Sequence, residues 1–107
     1  KIDIFQQIRE KVGNPSFAVP VAIKKELDKI SHQKGKHSMP AKVALLAIGI
    51  YGVKIISTTS KTGDASLQEM AEKGAIIATS DHELKQSLKN APQGVLVIRQ
   101  SKYVDWA

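Results

Sequence analysis

Apolar positions along this chain follow two alternating rhythms. Ile2, Phe5, Ile8 and Val12 recur at spacings of three, three and four, the signature of one helix face, and Gly13-Asn14-Pro15 closes the pattern. Residues 16–19 form a short, mostly apolar run that reads as a buried strand. Pro20 then suits the first turn of a helix whose stripe is Ile23, Leu27 and Ile30. The polar, basic segment SHQKGKHSMP (31–40) predicts a loop. Residues 41–51 predict a helix with Val43, Ala44, Ala47, Ile48 and Tyr51 available for burial, ended by Gly52. Further strands are expected at 53–57, 75–79 and 95–98, and further helices at 64–73 and 81–89; the tail over 99–107 carries no clear period.

Helices alternating with short, continuous, Val/Ile-rich strands imply a Rossmann-like three-layer α/β/α fold with a mostly parallel sheet covered on both faces. In such sheets function sits at the carboxyl ends of the strands, which directs attention to acids just past them. Asp81 lies two residues beyond a predicted strand and precedes Leu84 by three and Leu88 by seven, so it shares their inward face. Asp64 stands in the same relation to Leu67 and Ala71, and Glu26 borders the Ile23/Ile30 stripe. All these junctions fall on one edge of a parallel sheet, where three carboxylates can converge. Converging carboxylates repel unless a counter-charge joins them. With no cysteine and no inward histidine at matching spacing, an all-oxygen site suits Mg²⁺ or Mn²⁺ rather than zinc. Each acid also has a plain structural role open to it. Ser80-Asp81-His82-Glu83 matches a capping box, Asp64 opens a helix as an N-cap would, and Glu26 lies between Lys25 and Lys29 as a solvated acid would.

Charge sharpens the picture. Sixteen Lys+Arg against ten Asp+Glu give +6, which favours a polyanionic partner, nucleic acid by default. An anionic membrane surface is the competitor, and no Lys-rich amphipathic helix supports it. Lys24, Lys25, Lys29, Lys34, Lys36 and Lys42 cluster around the Glu26 helix as a phosphate-contacting patch, with His32 and His37 read as exposed loop residues. A hard cation beside such a surface points to phosphodiester hydrolysis. Tyr103 and Trp106, near Arg99 and Lys102, can stack on bases or pack the tail onto the core. The hydroxyl run STTS (57–60) has no partner base and suggests no nucleophile, and no glycine-rich phosphate loop occurs. The 107 residues suffice for one domain, no apolar run approaches the roughly 20 residues of a membrane helix, and no signal segment opens the chain. The lack of cysteine excludes disulfides and thiolate chemistry and fits the cytoplasm.

Taken in order, VPVAIKKEL (19–27), GDASL (63–67) and GAIIATSDHEL (74–84) resemble the PIN domain family of metal-dependent ribonucleases. Glu26 matches the family's Glu, Asp64 its helix-opening Asp, and Asp81 the acid of its Thr-x-Asp-x-x-Leu pattern with Thr79 as the nearby hydroxyl; GVLVIRQSKY (94–103) resembles its last strand. The resemblance implies an endoribonuclease in which Glu26, Asp64 and Asp81 are catalytic ligands to Mg²⁺ or Mn²⁺, Thr79 supports them, and the lysines position RNA. KIDIFQQI (1–8) and GAIIATSDHELKQSL (74–88) look most like the ribosomal RNA-processing branch of archaea and eukaryotes. That branch implies a single-stranded or structured rRNA precursor as substrate, with a second copy or ribosome-assembly proteins as partners. Toxin nucleases of the VapC type share the core and are one alternative; a catalytically inactive RNA- or protein-binding module is another. The family begins with an apolar strand ending in Asp-Thr or Asp-Ser, whose Asp is a further ligand. This chain opens at Lys1 in a helical pattern, so the resemblance implies a single PIN-like domain over 1–107 without that first, central strand.

Overall fold

The computed structural model describes residues 3–88, 91–99 and 103–107. Five helices and five strands appear among them: α1 (Ile4–Val12), β1 (Ala18–Pro20), α2 (Val21–Ser31), α3 (Ser38–Ile50), β2 (Lys54–Ile56), α4 (Gly63–Glu72), β3 (Ile77–Thr79), α5 (His82–Ser87), β4 (Val95–Arg99) and β5 (Tyr103–Trp106). The chain divides into two compact units, Ser16–Ser66 and Lys1–Pro15 with Leu67–Ala107. Pairing is mostly parallel, as expected. β1 runs parallel to β2 with Val19 opposite Ile55, and β3 runs parallel to β4 with Ala78 opposite Leu96. The strands hydrogen-bond as a pair and a triplet, and the unassigned tail supplies β5, antiparallel to β4 with Arg99 opposite Tyr103. No helix among the described residues is long and apolar enough to cross a membrane.

The 67–107 segment carries the larger apolar core. Ile77 and Val95 from the strands pack with Leu84, Leu88 and Ala71, and Leu96, Val97 and Val104 are also buried. Leu84 and Leu88, four apart, share the inward face that their spacing predicts. The consecutive burial of Val95, Leu96 and Val97 is that of a strand covered on both sides. Each such aliphatic side chain contributes about 1.5–3 kcal/mol over its exposed state. β3 starts two residues later than predicted because Gly74 first closes α4. At φ +100° it adopts a left-handed turn, its N–H donates to the Ala71 carbonyl, and the Ala75 N–H donates to the Met70 carbonyl.

In the 16–66 unit the structure corrects one expected helix. α3 begins at Ser38 rather than at 41, and Pro40 falls in its first turn, where an N–H would have no intrahelical partner. Ala44, Ala47, Ile48 and Tyr51 are half-buried, but Val43 is exposed. It joins Met39, Leu46 and Ile50 in an apolar stripe with Leu46 at 65% and Ile50 at 76% exposure. This helix is apolar on nearly every side, so periodicity had no polar face by which to choose the inward one.

Candidate active site

Parallel pairing of β1 and β2 sends both strand ends to one edge, where α2 and the 57–62 loop begin. The loop is latched from beneath. Ser66 is fully buried, and its Oγ donates to the Ser60 carbonyl at 3.1 Å. Thr58 Oγ1 donates to the same carbonyl at 3.0 Å and lies 2.8 Å from Ser66 Oγ. Thr58 and Ser66 thus clasp the loop at the Ser60 carbonyl. Thr62 Oγ1 accepts from the Ala65 N–H at 3.3 Å and so caps α4. That leaves Asp64 inside the first turn rather than at the cap.

Glu26 reaches the same place from α2. Its Oε2 lies 3.5 Å from where a Cβ on Gly63 would stand, and Ile23 Cγ1 lies 3.1 Å from that point. The missing side chain at 63 therefore spares Ile23 a tight contact and leaves the Glu26 carboxylate close against the start of α4. Glu26 and Asp64 are both exposed, and among the described residues neither carboxylate has a hydrogen-bond or ion-pair partner. A cleft of about 400 Å³ in the same unit is lined by Val21, Ala22 and Lys25 of α2 and by Ser57, Thr58, Ser60 and Lys61 of the loop, and neither Glu26 nor Asp64 lines it. The predicted lysine patch is uneven. Lys24 Nζ is held by Asp28 at 2.6 Å, whereas Lys25, Lys29, Lys34, Lys36 and Lys42 are exposed and have no acidic partner among the described residues. His32 and His37 are exposed, as expected.

Asp81 belongs to the other unit and is the N-cap of α5. Its Oδ1 accepts from the N–H groups of Glu83 at 2.9 Å and Leu84 at 3.2 Å. The cap is therefore Asp81 itself, one residue later than the Ser80 capping box. Both bonds fall on one oxygen, and a carboxylate has about four lone-pair sites, so Oδ2 keeps its acceptor capacity. Thr79 Oγ1 accepts from the Asp81 N–H at 3.0 Å and fixes the turn that presents the acid.

Among the described residues no three His, Asp or Glu side chains form a group that could hold a metal ion. What the fold brings together is Glu26 with the Gly63–Asp64 start of α4. Two uncommitted carboxylates fit a hard cation of the Mg²⁺ class, which is commonly held by one or two carboxylates, waters and substrate phosphates. Lys61, Gly63 and Ser66 were not singled out from sequence. The small residues of GDASL were the available signal, because close backbone approach needs residues of that size.

The family model described as "PIN like domain" matches residues 1–101. The chain is 35% identical over 106 residues to Ribonuclease VapC9 of Archaeoglobus fulgidus, covering 97% of this chain and 76% of that protein. It is 31% identical over 103 residues to Ribonuclease VapC4 of Methanocaldococcus jannaschii, covering 90% of this chain and 77% of the relative.

Proposed function

The chain belongs to the PIN like domain family, and on that premise we propose that it is a VapC-type endoribonuclease that hydrolyses RNA phosphodiester bonds with Mg²⁺ or Mn²⁺. The observation that carries the reading is the uncommitted Glu26 carboxylate at the Gly63–Asp64 start of α4, in a unit that also holds a cleft lined by Lys25 and Lys61. Both relatives bear the name ribonuclease, and both bear the name VapC. The ribosomal RNA-processing role rests on the likeness of two segments alone, so we take the toxin-type nuclease as the better-supported branch.

In this reading Lys25 and Lys61 draw the RNA backbone to the cleft, and Glu26 and Asp64 would hold the cation; Asp81 is proposed as a further catalytic acid on the resemblance of its motif alone. The cation supplies charge neutralisation at phosphate and acidifies water. A water oxygen bonds to phosphorus, the ester P–O bond breaks, and the departing ribose oxygen takes a proton. Thr79 keeps Asp81 in place through its backbone, and the Ser66 clasp keeps the loop that leads into Asp64. Incubation of a labelled single-stranded RNA with the protein tests this. Cleavage is expected in Mn²⁺ and its loss in EDTA; cleavage that persists in EDTA overturns the reading.

A further inference from the structure

A second cleft, of about 330 Å³, lies in the other unit between α5 and the β4–β5 pair. Ser80, His82 and Lys85 line one side, Arg99 and Tyr103 the other, and the buried Val97 helps line it. Arg99 and Tyr103 are direct cross-strand partners, so their side chains leave the sheet on one face with Cβ atoms about 4.5–5.5 Å apart. His82 and Lys85 are three apart on α5 and so are neighbours on its surface. Among the described residues no acid lines the cleft. The acid next in register, Asp105 opposite Val97, faces Lys11 at 3.8 Å. Among the described residues neither Lys85 nor Arg99 has an ion-pair partner. Tyr103 is 44% exposed, a large ring left open to solvent beside these cations.

We propose that this cleft is a nucleotide subsite for single-stranded RNA, in which a base stacks on Tyr103 and the adjoining phosphate is met by Lys85 and Arg99, with Ser80 and His82 as hydrogen-bonding groups. The identification rests on the ribonuclease reading for its choice of ligand and adds a holding place for the strand besides the Glu26–Asp64 edge. One aromatic face with two cations at its border suits a base with its phosphate: stacking is tolerant of sequence, and the cations supply the salt-dependent part of binding. An aliphatic ligand would leave both charges unused.

The test is equilibrium binding of a fluorescein-labelled single-stranded decaribonucleotide by the whole chain in EDTA, so that cleavage plays no part. Tyr103→Ala is expected to weaken binding roughly five- to 150-fold, and Tyr103→Phe, which keeps the ring, to bind as the parent does. Lys85→Ala with Arg99→Ala should lower the slope of log affinity against log salt by about 0.7, the value for one phosphate no longer neutralised. These two substitutions lie on the surface and keep the assay decisive if Tyr103→Ala folds poorly. Unchanged affinity in Tyr103→Ala, an unchanged salt slope in the double variant, or no RNA binding by the parent overturns the subsite. A parent that cleaves RNA while these variants bind normally defeats the subsite alone; variants that bind weakly beside a parent that never cleaves defeat the nuclease reading alone.

Discussion

The Glu26 carboxylate lies against the bare backbone of Gly63: a Cβ at 63 would stand 3.5 Å from its Oε2, already at contact distance. Gly63 has an ordinary helical backbone, so its smallness serves packing rather than an unusual φ. An alanine here would stand 3.1 Å from Ile23 Cγ1, which must then give by a few tenths of an ångström. Gly63→Ala should keep most activity. Gly63→Val should push Glu26 aside and lower cleavage about 100-fold, the scale on which a misplacement near 1 Å acts. Rate assays alongside thermal melts check this, and a fully active Gly63→Val would show that Glu26 does not depend on a small residue at 63.

Asp81 has one observed role, as the cap of α5, and one proposed role in catalysis. As a cap it needs only an acceptor oxygen, which asparagine also offers. Asp81→Asn should therefore melt within about 0.5 kcal/mol of the parent, while Asp81→Ala should lose about 0.5–2 kcal/mol. In the catalytic role proposed for it, it would need its negative charge, so both variants should lose RNA cleavage. Denaturant unfolding with a cleavage assay separates the two roles; an active Asp81→Asn would leave Asp81 as a cap alone.

The same residue shows how far sequence carries. Alternating periodicity disclosed the parallel strand–helix units, and Asp81 stood out because a strand must hand over to a helix there. The α3 face was not legible, because Val43, Leu46, Ala47 and Ile48 are all apolar and only tertiary packing chooses among them. β5 was missed because Tyr103-Val104-Asp105-Trp106 buries one residue in four, which gives no run of inward apolar positions. At the site, the acids could be named from their position after strands. Their surroundings could not: nothing in the string says that Thr62 rather than Asp64 caps α4, or that Ser66 clasps the loop. Residues Ile2 and 89 of the predicted helices lie outside the described residues.

Neighbouring lysines should behave differently. Lys24 is tied to Asp28 at 2.6 Å, while Lys25 lines the cleft unpaired. Lys25→Ala should weaken single-stranded RNA binding and reduce the salt slope by about 0.7. Lys24→Ala should change both less. Fluorescence anisotropy across a salt series reads the difference, and equal effects would mean that the Asp28 pair does not withhold Lys24 from RNA.

Stability should follow burial rather than hydrophobicity. Leu96 is 1% exposed and Leu46 is 65% exposed. Leu96→Ala should cost about 2–5 kcal/mol, whereas Leu46→Lys should stay within about 0.5 kcal/mol. Urea unfolding followed by circular dichroism checks both. A large loss in Leu46→Lys would place the α3 stripe in an interior rather than in water.

The decisive measurement is the single-turnover cleavage rate of Asp64→Asn in Mn²⁺, with its RNA affinity measured in parallel. Among the described residues Asp64 caps no helix and bonds no neighbour, so its carboxylate has no evident structural duty to confuse the result. The expected result is a fall in rate of about 100-fold or more with affinity and melting temperature unchanged. A variant that cuts RNA at the parent's rate would contradict the role given to this carboxylate and, with it, the cation-dependent nuclease.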